Sequence, residues 1–442
     1  MGIIRLSSNH PKFSYLIRKR PESGITVVGI KDGAGFGWFS TTDNAINESE
    51  YNVYFEDYSK ASYGQSNSDH SVAYLNRGRY VDPHMYLDLV EAFFDLPKIY
   101  PDGLEDIDGV YQHKLTVSCI YIEKQKIINY FRKANMKITF TPLEKQNQYG
   151  SLIIETSDSL RSLISYFQLF LMMNLVTSNP NGAHYAEIGF PIDRLVKYAE
   201  LIKQQDLDFY IRYIFSRNLL RNKKNFAQVQ PILEASTRYK IQLQYGDTAT
   251  QRYNFVEKHL VPGLSVLDVG CGEGAYLKLC PDLKKSKLQY YGVDTDPEVL
   301  DAAQHKLKVK EYENAYLYSK LDDALESIGY APAGENLNVI LIEVIEHMPL
   351  SEAENLIRKI VESSSVKRLI VTTPNADFNK FYDMDPTNKR HADHHWEMSD
   401  SEFTSWLQQF TPTLKRATNI QQVPIGDQVN GVSTTQGVIM DF

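Results

Sequence analysis

Ser265-Val-Leu-Asp-Val-Gly-Cys-Gly-Glu-Gly274 decides the fold of the second half of this chain. Its first part is a short apolar run, interrupted by Asp268, of the kind that forms a buried strand. Cys271 to Gly274 is a tight turn, because its glycines permit backbone angles closed to other residues. Ala275 to Leu279 then starts a helix. Asp268, Gly270, Gly272 and Gly274 therefore stand at a strand-to-helix turn, where a ligand can approach the backbone closely. The spacing is not the Gly-x-Gly-x-x-Gly of a dinucleotide loop. Outward from this turn the rhythm repeats. Tyr290 to Val293 is a second strand, closed by Asp294, and Pro297 opens a helix. Tyr316–Ser319, Val339–Ile342 and Arg368–Thr372 are the third, fourth and fifth strands, and Val432 to Phe442 supplies a closing hairpin. Strands alternating with helices predict an α/β, doubly wound sheet over residues 241–442.

The loop resembles the AdoMet-binding loop of class I methyltransferases, a Rossmann-like family with a seven-stranded, mostly parallel sheet. The resemblance implies S-adenosyl-L-methionine as cosubstrate. It implies binding by Asp268, Gly270, Gly272 and Asp294, with Asp294 accepting from the ribose hydroxyls.

The fourth strand runs into Leu341-Ile-Glu343-Val-Ile-Glu346-His347-Met348. Two carboxylates and an imidazole at the C-terminal end of a central strand lie where open α/β sheets hold ligands. Oxygen and nitrogen donors converging there suit a metal ion. The structural alternative is a hydrogen bond from Glu343 and a capping role for Glu346-His347. A second histidine-rich segment, Arg390-His391-Ala-Asp393-His394-His395-Trp396-Glu397, follows the fifth strand. Strands four and five are neighbours, so His394, or else His391 or His395, can reach Glu343, Glu346 and His347.

Composition bounds the rest. The chain has 442 residues, 43% hydrophobic and 23% charged, which is ordinary for a soluble globular protein of two or three domains. The net charge of -8 disfavours broad binding along nucleic acid but permits recognition of a single RNA end. Cys119, Cys271 and Cys280 form no CxxC pair, which predicts a reducing, cytoplasmic setting. No signal peptide is expected from the N-terminal residues. Leu160 to Val176 carries Arg161, Gln168 and Asn174, so it is predicted to be a buried helix rather than a membrane span. Residues 1–240 read as an α+β N-terminal module. Ile25–Ile30, Tyr51–Phe55, Leu115–Ile122, Met136–Phe140 and Leu152–Glu155 are strand-like. Gly33-Ala-Gly-Phe-Gly37 is expected to be a glycine-rich turn, and Asp82-Pro83 to start a helix. A turn is expected at Asn179–Gly182, a helix over Ile192–Ile202, and a solvated basic helix face over Arg217–Lys224.

The paired segments of the C-terminal half resemble those of small-RNA 3′-terminal ribose 2′-O-methyltransferases. In that family EVIEH pairs with a TPN segment and an R-H-x-D-H-x-F-E-W-T-R-x-E-F segment. Thr373-Pro-Asn375 and Arg390 to Phe403 match these, with Trp396 for Phe, Met398 for Trp, and Ser399-Asp400 for Thr-Arg. The arginine that could contact RNA is thus an aspartate here. Phe13–Pro21, Tyr74–Tyr80, Ser159–Val176, His184-Tyr185 and Ile192–Val196 resemble the N-terminal half of bacterial members. The resemblance implies that Glu343, Glu346, His347 and His394 hold a divalent cation, with Mn²⁺ or a similar ion favoured over Mg²⁺ by two imidazoles. These four, with both hydroxyls of a 3′-terminal ribose, would make six ligands. It also implies an RNA 3′ end with a free 2′,3′-diol as substrate, and a polynucleotide kinase-phosphatase-ligase as partner in RNA repair, with no membrane. A small-molecule catechol-type O-methyltransferase, or an adaptor that chiefly activates a ligase, are the alternative readings.

Overall fold

The computed structural model describes residues 3–31, 33–42, 45–58, 78–94, 110–123, 125–131, 136–177, 190–329, 336–363, 366–382, 384, 388–414 and 416–442. The chain divides into two compact units, Met1–Leu233 and Glu234–Phe442.

The first unit is built on β1 (Ile3–Ser8), β2 (Thr26–Ile30), β3 (Gly33–Thr42), β4 (Ala45–Asp57), β5 (His113–Tyr121), β6 (Met136–Leu143) and β7 (Gln146–Thr156). They pair in the order β2-β3-β4-β1-β5-β7-β6, antiparallel throughout. The glycine-rich turn expected at Gly33–Gly37 is instead the start of β3. A Cβ on Gly35 or Gly37 would stand 2.6 Å from the Phe93 ring. The glycines are there to let the helix Pro83–Phe93 lie against the strand, a demand of tertiary packing that local turn propensity does not register. Asp82 caps that helix as expected, accepting the His84 N–H at 2.9 Å. Among the described residues, Leu160–Thr177 is the helix long and apolar enough to cross a membrane, and 78% of it is buried inside the protein. It is a core helix. The basic segment Arg217–Lys224 does not form one helix face. It spans the corner between the helices Phe209–Leu219 and Lys223–Glu234. Tyr74–Arg77, the Asn179–Gly182 turn and His184-Tyr185 lie outside the described residues.

The second unit carries β8 (Ile241–Gln242), β9 (Ser265–Val269), β10 (Tyr290–Val293), β11 (Ala315–Tyr318), β12 (Leu337–Ile342), β13 (Val366–Pro374), β14 (Asn419–Val429) and β15 (Val432–Asp441). Their order is β11-β10-β9-β12-β13-β15-β14-β8. The first five run parallel, and the β14–β15 hairpin closes the sheet antiparallel. This is the Rossmann-like sheet of seven strands, to which two-residue β8 adds an edge. The apolar run of β12 serves both faces. Val339 and Leu341 join one buried core with Leu267, Ile357 and Phe403. Ile340 joins the other with Val266, Tyr290 and Ile370. Sealing both faces is what a parallel sheet requires. Strand order reverses between β9 and β12, so the loops after these strands open into one crevice, the ligand position of such sheets.

Candidate active site

The glycine loop after β9 is a run of left-handed backbone. Gly270, Gly272 and Gly274 have φ of 78°, 51° and 77°. A Cβ on Gly270 would also stand 2.4 Å from Val344 Cγ2, so this loop packs directly on the turn that follows β12. The Gly272 N–H donates to Asp294 Oδ2 at 2.8 Å, and the Asp296 N–H to Asp294 Oδ1 at 3.0 Å. Asp294 thus braces the loop from the end of β10. Asp268 lies beneath the loop, fully buried, and accepts from the Tyr290 hydroxyl at 2.5 Å. Burial pushes its carboxyl up to about 7, against the hydrogen bond from Tyr290.

Beyond β12 the chain turns abruptly. Glu343 adopts φ 57°, unusual for a residue with a Cβ. Its N–H donates to Thr372 O at 3.1 Å, and the Thr372 hydroxyl donates to Glu343 Oε1 at 2.9 Å. Its other oxygen lies 3.4 Å from Arg252 Nη1. The turn carries Glu346 inward and His347 outward. Glu346 is completely buried, and neither of its carboxyl oxygens has a hydrogen-bond partner. Burial, and then the neighbouring Glu343 carboxylate, hold its pKa well above the usual range.

Glu346, His347 and His394 each bring a donor atom within 4.8 Å of the others. The two imidazoles meet edge to face, with centroids 4.7 Å apart. Glu343 is not in this trio; its oxygens face Thr372 and Arg252. His391 stacks obliquely beside His394, and His395 points its side chain outward while its N–H donates to Glu346 O at 2.7 Å. That bond and the one from Trp396 Nε1 to Met348 O (2.9 Å) tie the histidine segment to the turn after β12. The Phe-to-Trp exchange supplies the second tie. At another exchanged position, Ser399 forms a capping box with Glu402, which the motif retains, and so starts the helix Asp400–Phe410.

Sequence reasoning did not assign Glu397, Arg390 or Arg252. Glu397 accepts the His394 Nδ1–H at 2.7 Å, the Arg390 N–H at 2.6 Å and the Asn379 amide at 2.8 Å. Burial alone would raise its pKa; these three bonds outweigh it and hold the carboxyl below the usual range. An ionised carboxylate can only accept, so His394 donates to it through Nδ1, and Nε2 is the ring nitrogen left to face a cation. The Arg390 guanidinium in turn donates to Asn379 Oδ1, Thr434 O and Asn375 O at 2.7–2.8 Å. The His394–Glu397 spacing of three was a usable signal. Arg252 had none, being remote in sequence.

The residues fit a divalent cation. A buried carboxylate without a partner is costly unless a cation answers it. One carboxylate and two imidazoles, each with a further carboxylate at its Nδ1 (Glu397 at 2.7 Å from His394, Asp393 at 3.0 Å from His347), form a donor set suited to a first-row transition ion.

A family model described as "Hen1 N-terminal domain" matches residues 3–238, and one described as "Methyltransferase domain" matches residues 260–418. The small RNA 2′-O-methyltransferase of Caenorhabditis elegans is 27% identical over 181 residues, 36% of this chain and 41% of that protein. That of Xenopus tropicalis is 30% identical over 164 residues, 35% of this chain and 44% of the relative. The chain thus spans less than half the length of either relative. A chain of the solved Pnkp1/Rnl/Hen1 RNA repair complex is similar in fold over 100% of both chains, with a TM-score of 0.76 and 24% identity.

Proposed function

This chain belongs to the Hen1 N-terminal domain family, and from that premise we propose that it methylates the 2′-hydroxyl of the 3′-terminal ribose of RNA. The methyl donor is AdoMet and the reaction depends on a divalent cation. One observation carries the reading: buried, unpartnered Glu346 converges with His347 and His394 beside the glycine loop.

Gly270 and Gly272 open the backbone to AdoMet, and Asp294 receives its ribose hydroxyls. Glu346, His347 and His394 hold the cation, with Glu343 completing the set. Bound there, a divalent ion lowers the pKa of a hydroxyl, as it does for water. In the transfer itself the ribose oxygen attacks the methyl carbon. A C–O bond forms, the S–C bond breaks, S-adenosylhomocysteine leaves, and the hydroxyl proton passes to a base of the site. Glu397 keeps His394 in one tautomer throughout. A cation held by these residues would favour a terminal ribose, whose 2′- and 3′-hydroxyls are both free, over DNA and internal nucleotides, which lack that pair. The separate N-terminal unit supports a second role within the same reading, activation of a kinase-phosphatase-ligase partner during RNA repair. The neighbour of similar fold is itself part of a Pnkp1/Rnl/Hen1 RNA repair complex.

Glu346→Ala tests the core of this. Methyl transfer is expected to vanish with AdoMet affinity unchanged. Mn²⁺ should raise the melting temperature of the parent but not of the variant. An active variant, or one stabilised by Mn²⁺ as the parent is, would return Glu346 to a structural role.

A further inference from the structure

Glu343 differs from the other acid of its turn in having both oxygens engaged. Oε1 takes the Thr372 hydroxyl and Oε2 faces the Arg252 guanidinium. Arg252 projects from the helix Thr248–His259, and it and Glu343 are each about four-fifths buried, with side-chain exposures of 20% and 19%. The pair therefore lies largely out of water, where an opposite charge a few ångströms away is felt strongly. Glu346, three residues on, feels the Arg252 charge from farther off but has no ion pair of its own, and it lies among the imidazoles. The two carboxylates of one turn are thus unequal: Glu343 is paired directly with a guanidinium, and Glu346 is not.

We propose that Arg252 is a resident counter-ion for Glu343 and competes with the divalent cation for it. The inference rests on the cation site proposed above. With the site empty, the guanidinium neutralises Glu343 and keeps two acids of one turn from facing each other unscreened. When the cation enters, Glu343 exchanges Arg252 for it, while Thr372, which fixes the other oxygen, stays. Arg252 is in this sense a positioning residue, and it weakens cation binding in two ways. It must be displaced from Glu343, and its charge repels the incoming ion. Weaker binding keeps the ion exchangeable, and the closing of the ligand set around Glu343 can then await the ribose.

The test is Mn²⁺ affinity in the full chain, read by the electron paramagnetic resonance of free Mn²⁺. Arg252→Gln removes the charge and is expected to tighten Mn²⁺ binding by roughly tenfold. Arg252→Lys restores a cation and should return the affinity toward that of the parent. A purely structural role would give the opposite order, with affinity lost in Arg252→Gln. In the unmodified protein, ¹⁵N-arginine signals should show one guanidinium released on titration with diamagnetic Mg²⁺, which needs no variant to fold. Unchanged or weaker Mn²⁺ binding in Arg252→Gln, or no guanidinium response, overturns the exchange but leaves the cation site standing. A parent protein that binds no Mn²⁺ overturns both.

Discussion

At the scale of single residues, the site rests on carboxylates placed in unlike surroundings. Glu397 gathers three donors and stays ionised, which fixes the His394 proton on Nδ1. Glu397→Ala should therefore lower Mn²⁺ affinity on the order of 10–100-fold, the usual cost of losing the group that orients a ligating imidazole. Calorimetry checks this, and AdoMet affinity should stay put. Asp268 is the converse case, buried with a carboxyl raised to about 7 from 3.8. The folded state keeps a proton that the unfolded state has released. The contribution of Asp268 to stability is thus full below its unfolded value and lost as pH rises through about 7. The loss is at most about 4 kcal/mol, from three pKa units at 1.36 kcal/mol each. Melting curves should show Asp268→Asn gaining on the parent between about pH 4 and about pH 7, with a constant gap above that. A constant gap across that range would mean that Asp268 does not titrate there.

At the scale of elements, function depends on two loops pressed together. Gly270 has a positive φ and no room for a Cβ beside Val344. Gly270→Ala should cost about 1–3 kcal/mol of stability. It should weaken AdoMet and Mn²⁺ binding together, because Val344 leads directly to Glu346 and His347. Loss of AdoMet binding alone would show the loops to be independent. Much of this was legible in the sequence. The glycine loop, Asp294 and the apolar run before Glu343 each announce themselves by local pattern, and the adjacency of β12 and β13 follows from the doubly wound order. What was not legible depends on packing across the chain. The Gly33–Gly37 strand is dictated by a phenyl ring from a helix some fifty residues on. The Glu343–Arg252 pair joins residues about ninety apart, and the left-handed turn that separates Glu343 from Glu346 has no signature in a Glu-x-x-Glu-His string.

At the scale of the whole molecule, the chain divides into two compact units near residue 233. The second holds every residue proposed for methyl transfer. The first is matched almost throughout by the Hen1 N-terminal domain model, and in the proposed repair role it would be the unit that meets the partner. The central claim, that a cation held by Glu346, His347 and His394 selects a terminal ribose by chelating its diol, is tested most directly on the RNA end itself. Transfer from labelled AdoMet should be measured with Mn²⁺ on otherwise identical RNAs ending in a 2′,3′-diol, a 2′-deoxy sugar or a 3′-phosphate. The expected result is methylation of the diol alone, abolished by EDTA. Efficient methylation of the 3′-phosphate end, or full activity in EDTA, would contradict it.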